Sequence, residues 1–129
     1  MIESVKNKKT RPFAVAAARL LHDLHCTDIL LLDVCGRSDI TDYILIATGT
    51  SDRQIRSVGE SVEELGLKYD YQRFGCEIDA RTSWVVVDFA GLVVHLFDFN
   101  ARNYYDIEMM WGDAPKIRWR HTVKKPAEE

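Results

Sequence analysis

Two short apolar runs, Ile29-Leu30-Leu31-Leu32-Asp33-Val34 and Tyr43-Ile44-Leu45-Ile46-Ala47-Thr48, constrain this chain more than any other feature. Each is continuous where a half-buried strand would alternate, which is the pattern of a strand covered on both faces. Such strands need helices packed on the sheet, and the flanking sequence supplies them. Pro12 suits a first helical turn, and Phe13, Ala16, Ala17, Leu20, Leu21 and Leu24 then follow one helical stripe. Ser51-Asp52-Arg53-Gln54 has capping-box spacing and opens a second helix, which turns Ile55, Val58, Val62 and Leu65 inward and stops at Gly66.

The second half reads as β-rich. Gly36-Arg37-Ser38-Asp39 supplies a turn between the first two strands, and the alternation from Lys68 to Arg73 predicts a short edge strand. Residues 74–82 are irregular and polar. Trp84-Val85-Val86-Val87-Asp88-Phe89 and Leu92-Val93-Val94-His95-Leu96-Phe97 flank Ala90-Gly91, which predicts a hairpin. A third helix is expected from about Ala101 to Trp111, ended by Gly112 and Pro115. The order α-β-β-α-β-β-β-α predicts an α/β fold: one domain, with a mixed sheet of about five strands flanked by helices. Residues 12–115 would form that domain, 1–11 a flexible basic arm and 116–129 a basic C-terminal tail.

Charge is unevenly spread. Residues 12–115 carry 8 basic and 17 acidic side chains, a net −9, whereas the two ends carry 9 basic and 3 acidic, a net +6. An acidic body repels nucleic-acid phosphates and attracts basic proteins, leaving only the ends to touch RNA. The start, Met1-Ile2-Glu3-Ser4-Val5-Lys6, lacks the apolar region of a secretory peptide, and no run is long enough to span a bilayer. Three widely spaced cysteines, Cys26, Cys35 and Cys76, read as reduced thiols. Together these predict a cytoplasmic protein, or one of an organelle matrix, with no membrane contact.

Three constellations invite a chemical reading, and each has a plainer one. Gly49-Thr50-Ser51 joins a strand to a helix and its amides could hold a phosphate, as in a nucleotidyltransferase. The next predicted strand offers only Asp70, so the rigid carboxylate pair of two-metal chemistry is missing, and a capped helix start is the simpler account. His22, His25 and Cys26 have i, i+3, i+4 spacing on the first helix but no fourth ligand, so no metal and no cofactor is expected. His95 faces Asp88 in a rough hairpin pairing without a placed nucleophile, which favours a hydrogen-bonded histidine fixing the hairpin. The stretch from Trp84 to Trp111 is rich in Tyr, Trp, Arg and Met, the types enriched in interface cores.

From about Ala14 to Trp111 the chain resembles the ribosomal silencing factor family, also called RsfS or Iojap. One block runs from Asp28-Ile29 and Leu32-Asp33-Val34 through Asp42-Tyr43 to Ile46-Ala47-Thr48-Gly49-Thr50-Ser51-Asp52-Arg53-Gln54. A second comprises Trp84, Asp88, Val94-His95, Arg102, Tyr104-Tyr105, Glu108 and Trp111. The chain departs from the family at Ile78, where glycine is usual, and at Leu21-His22-Asp23-Leu24-His25-Cys26, where a lysine-rich turn is usual.

The resemblance implies a nucleotidyltransferase-like, non-catalytic fold. It also implies binding to the large ribosomal subunit through its L-fourteen protein, which blocks subunit joining and represses translation when nutrients are scarce. Organelle members are linked to large-subunit assembly. The motif positions Asp42, Tyr43, Trp84, Asp88, His95, Arg102, Tyr104, Tyr105 and Trp111 are the candidate partner-binding residues. A minor rRNA contact would fall to the basic ends, and whether the free protein pairs as a homodimer is left open.

Overall fold

The computed structural model describes residues 2–38, 41–71, 75–78, 84–105 and 111–120, with side chains described for 10–38, 41–71, 84–102 and 111–120. In chain order the elements are α1 (Ile2–Asp23), β1 (Thr27–Asp33), β2 (Tyr43–Thr48), α2 (Asp52–Lys68), β3 (Gly75–Ile78), β4 (Trp84–Asp88), β5 (Leu92–Phe97) and α3 (Phe99–Tyr105). The strands form one mixed sheet of five, as the sequence led us to expect, and their order in it is β1-β2-β5-β4-β3. Only the β2–β5 pair is parallel, with Tyr43 opposite Leu92 and Thr48 opposite Phe97; the other three pairs are antiparallel.

Each apolar run lands where its pattern requires. All six residues of β2 are buried, because β2 lies inside the sheet with both faces covered. On one face Leu31, Tyr43, Leu45, Ala47, Val85, Val87, Val94 and Leu96 pack with Phe13, Ala17 and Leu21 of α1 and Ile55, Val58 and Val62 of α2. On the other, Leu32, Val34, Ile44, Ile46 and Phe97 meet Ala101 and Ala114, with Trp84 and Trp111 packed partly buried against them. Each large side chain so buried stabilises the fold by about 1.5–3 kcal/mol.

Both long helices end in the same way, and neither uses glycine. After α1, Cys26 N donates to Leu21 O (3.0 Å) and His25 N to His22 O (3.0 Å), with His25 left-handed at φ 73. After α2, Tyr71 N donates to Gly66 O (2.7 Å) and Asp70 N to Leu67 O (3.2 Å), with Asp70 at φ 66. These are Schellman turns, which satisfy the last carbonyls of each helix. Helix α2 therefore continues two residues past Gly66, the stop that sequence suggested. Gly66 is needed for a different reason: a Cβ there would lie 2.7 Å from Phe89 Cε1 and 2.9 Å from Tyr71 O.

Other boundaries are also corrected. The edge strand is Gly75–Ile78; of the strand expected over 68–73, residues 68–71 are taken by the end of α2 and its Schellman turn, and 72–73 lie outside the described residues. Helix α3 starts at Phe99, where Asp98 Oδ1 accepts from Ala101 N (2.7 Å), and is described to Tyr105; residues 106–110 of the expected helix lie outside the described residues. Residues 2–11 belong to α1 and are not a separate arm, so Pro12 sits inside the helix, where it cannot donate to the carbonyl one turn back. Thr10 explains the docking: it is fully buried, its Oγ1 lies 2.6 Å from the Tyr71 hydroxyl, and Gly91 has no Cβ to displace it.

The start of the expected C-terminal tail is part of the body as well. Asp33 N donates to Pro115 O (2.9 Å), Ile117 N donates to Leu31 O (2.8 Å), and Lys116 bridges Leu32 along the outer edge of β1. Ile117 and Trp119 join the core, and Arg19 Nε holds Trp119 O at 2.6 Å. Burial of these two large apolar side chains, together with the hydrogen bonds to β1 and from Arg19, offsets the freedom the segment loses. Residues 121–129 lie outside the described residues.

Candidate functional site

The hairpin presents its outward face without full cover. Along β4 burial alternates strictly: Val85 and Val87 point into the helix-covered core, whereas Trp84, Val86 and Asp88 are only half-buried. Val93 and His95 of β5 share that outward face. Trp84 lies opposite Phe97, and their rings stack at 5.2 Å between centroids. Trp84 Nε1–H donates to His95 Nδ1 (3.2 Å), so the imidazole carries its proton on Nε2. Burial pushes the His95 pKa down to about 4, against the opposing pull of the Asp88 charge. The result is a flat, rigid aromatic platform with a neutral imidazole.

The expected His95–Asp88 couple is not formed as a cross-strand pair. His95 is opposite Val86, and Asp88 is opposite Val93, because the turn residues Ala90-Gly91 set the register. Asp88 serves the turn instead: its Oδ1 accepts from Ala90 N (2.8 Å), which helps hold Ala90 at φ 75. The side chains of Ser83 and Cys76, the potential nucleophiles nearest the hairpin in sequence, lie outside the described residues.

The nine motif residues do not form one cluster. Tyr43 is fully buried against the α1 side, and burial raises its phenol pKa, so its ring supports the fold. Asp42 precedes β2, where the amides of Asp42 and Tyr43 both donate to Gly91 O and brace the hairpin turn. Arg102 of α3 reaches back with Nη1 to Asp28 O and to Thr48 Oγ1 (2.8 Å), tying α3 to the start of β1 and the end of β2. Trp111 packs half-buried on the second core cluster, beside which Trp84 also sits. The side chains of Tyr104 and Tyr105 lie outside the described residues. Trp84 and His95 are therefore the described motif residues whose side chains meet on the outward face. Phe99, 64% exposed in the first turn of α3, was not among the expected residues, although it stood in the same aromatic stretch.

The strand-to-helix turn at Gly49 is occupied by its own side chains. Ser51 Oγ accepts from Gln54 N (3.1 Å), and Gln54 Oε1 accepts from Thr50 N and Thr50 Oγ1. Gly49 N donates to Phe97 O (2.7 Å). The Thr50 and Gln54 amides are thus engaged in capping α2, and the Gly49 amide in the sheet. His22, His25 and Cys26 do not share a helix face, because α1 ends at Asp23 and His25 is left-handed. Burial raises the Cys26 thiol to about 11, which disfavours the thiolate that a metal requires. Burial, with Asp33 beside it, raises Cys35 to about 12.

Comparison with known proteins places this geometry. The family model described as "Ribosomal silencing factor during starvation" matches residues 7–129. The chain is 37% identical over 99 residues to a ribosomal silencing factor of Bacillus subtilis, which covers 77% of this chain and 84% of that one. It is 28% identical over 116 residues to the chloroplastic Iojap protein of Zea mays, spanning 90% of this chain and half of the relative. A crystal structure of a Chromobacterium violaceum protein superposes with a TM-score of 0.75 at 30% identity, covering 90% of this chain and 96% of that one. The chain belongs to the ribosomal silencing factor family.

Proposed function

We propose that this protein represses translation by steric exclusion: it docks on the L-fourteen protein of the large ribosomal subunit and blocks joining of the small one. The observation that carries this reading is the outward face of the β4–β5 hairpin. There Trp84 and His95 form a rigid, half-buried aromatic platform within residues 12–115, a stretch of net −9 charge. Rigid aromatic anchors lose little entropy on binding, and the acidic surroundings favour a basic ribosomal protein. Phe99, exposed in the first turn of α3, is a further aromatic side chain open to a partner. The protein acts by binding, without catalysis; the Gly49, Thr50 and Gln54 amides, each donating to a protein acceptor, support that reading over a phosphate-using enzyme. Its place of action is the cytoplasm.

Cosedimentation tests the proposal directly. The full chain should pellet with purified large subunits and not with joined ribosomes, and adding it before the small subunit should reduce joining. A Trp84→Ala variant that folds should lose at least about tenfold in large-subunit affinity, since a central aromatic anchor is typically worth ~2 kcal/mol or more. Equal binding to subunits and joined ribosomes sinks the exclusion mechanism. Undiminished binding by folded Trp84→Ala sinks the assignment of the face.

A further inference from the structure

The basic C-terminal segment is built onto the fold in a manner that gives it a task of its own. From 116 to 120 burial alternates strictly: Lys116, Arg118 and Arg120 are exposed, while Ile117 and Trp119 are buried. That period of two is the signature of an extended chain, with the three cations on one side at intervals of about 7 Å. Backbone bonds donated by Asp33 and Ile117, with the Arg19 side chain donating to Trp119 O, fix the segment to β1 and α1, and the His22 ring lies 5.6 Å from that of Trp119. Arg120 is further held with its guanidinium 4.7 Å from the Trp119 ring centroid. Lys116 and Arg118 make no ion pair among the described residues, while the nearby Asp113 is taken by Arg37 at 3.2 Å.

We propose that residues 116–120 form an RNA-binding strap whose outward cations, Lys116, Arg118 and Arg120, engage phosphates of large-subunit rRNA. Charge complementarity selects the occupant. Residues 12–115 are acidic and repel a polyanion, so beyond the basic first turns of α1 a phosphate chain is drawn to this edge. The two-residue spacing of the cations suits successive phosphates along a strand, and a pre-ordered backbone loses little freedom on docking. The strap runs antiparallel along the outer edge of β1, whereas the Trp84 platform lies on β4 and β5 across the sheet. Two separate surfaces of one rigid domain then add their affinities on a ribosomal target. The proposal rests on the ribosomal assignment of the family and not on the partner chosen for the Trp84 face.

The test is filter binding of the full chain to deproteinised large-subunit rRNA across a KCl series. In the variant Lys116→Ala/Arg118→Ala both lost side chains are exposed, so the thermal midpoint should not move. Each lost phosphate contact removes about 0.7–0.9 from the slope of log K against log salt. The double variant should therefore show a slope shallower by about 1.4–1.8 and bind roughly tenfold or more weakly at low salt. Lys116→Arg/Arg118→Lys should retain both slope and affinity, which separates charge from folding. Unchanged slope and affinity in the folded Ala variant overturn the proposal. So does an equal loss of binding to polyglutamate, which would make the strap a site for an acidic protein. Trp84→Ala should bind the naked rRNA normally, so failure of the Trp84 reading and failure of this one remain distinct results.

Discussion

Acidification should unfold this protein partly through one imidazole. His95 is held neutral on the sheet by burial and by the Trp84 N–H that points at its Nδ1, with its pKa near 4 in the folded chain. An unfolded chain would titrate it near ~6.5. Between those values the unfolded state takes up a proton that the folded state refuses, so stability is complete above about pH 6.5 and falls as the pH drops toward 4. The two values differ by about 2.5 units, which corresponds to at most ~3.4 kcal/mol, and about 2 kcal/mol of it is already lost at pH 5. Because carboxylates titrate in the same range, the measurement must be a difference. Urea unfolding of the wild type and of His95→Gln, from pH 7.5 to pH 4.5, supplies it, since Gln accepts a hydrogen bond without titrating. The wild type should lose about 2 kcal/mol more than the variant between pH 7.5 and pH 5. Parallel pH profiles for the two proteins would refute the reasoning.

Two backbone predictions follow from the helix ends. His25→Gly relieves an exposed left-handed residue at the end of α1 and should raise the unfolding free energy by about 1 kcal/mol in urea melts; a loss of stability would contradict the Schellman assignment. Gly66→Ala inserts a Cβ against Phe89 and the Tyr71 carbonyl, and should lower stability by about 1–3 kcal/mol, read as a drop in thermal midpoint. A neutral result would mean that the α2–Phe89 approach is looser than the described distances.

Signals carried by a few adjacent residues were legible without the structure. The capping box at Ser51 and Gln54, the doubly covered run in β2 and the Ala90-Gly91 hairpin all appear as expected. Features that depend on distant partners were not. Nothing near Tyr43 says that Leu92 lies beside it in parallel, or that Gly66 is required by Phe89 and not by the helix end. Pro12 looked like a helix start because local chemistry favours it there, while Thr10 is drawn into the helix by Tyr71 and Gly91. The same limit applies to the candidate site. Motif membership could not separate Trp84, on an outward face, from Tyr43, whose ring is buried, or Arg102, which holds two strands. The strap did leave a trace: Lys116-Ile117-Arg118-Trp119-Arg120 alternates in polarity, but a basic context hid the two apolar residues.

The pairing of residues 115–117 with β1 also has a consequence for synthesis. Leu31 O and Asp33 N find their partners only after residue 117 has been added to the chain. Until then β1 is an open strand edge in an otherwise assembled sheet, a template for pairing with another chain. A protein whose family acts on ribosomes thus closes its own sheet late in translation. A product released before residue 115 would carry a sticky edge, making premature termination near the end of the message more hazardous than the few missing residues suggest.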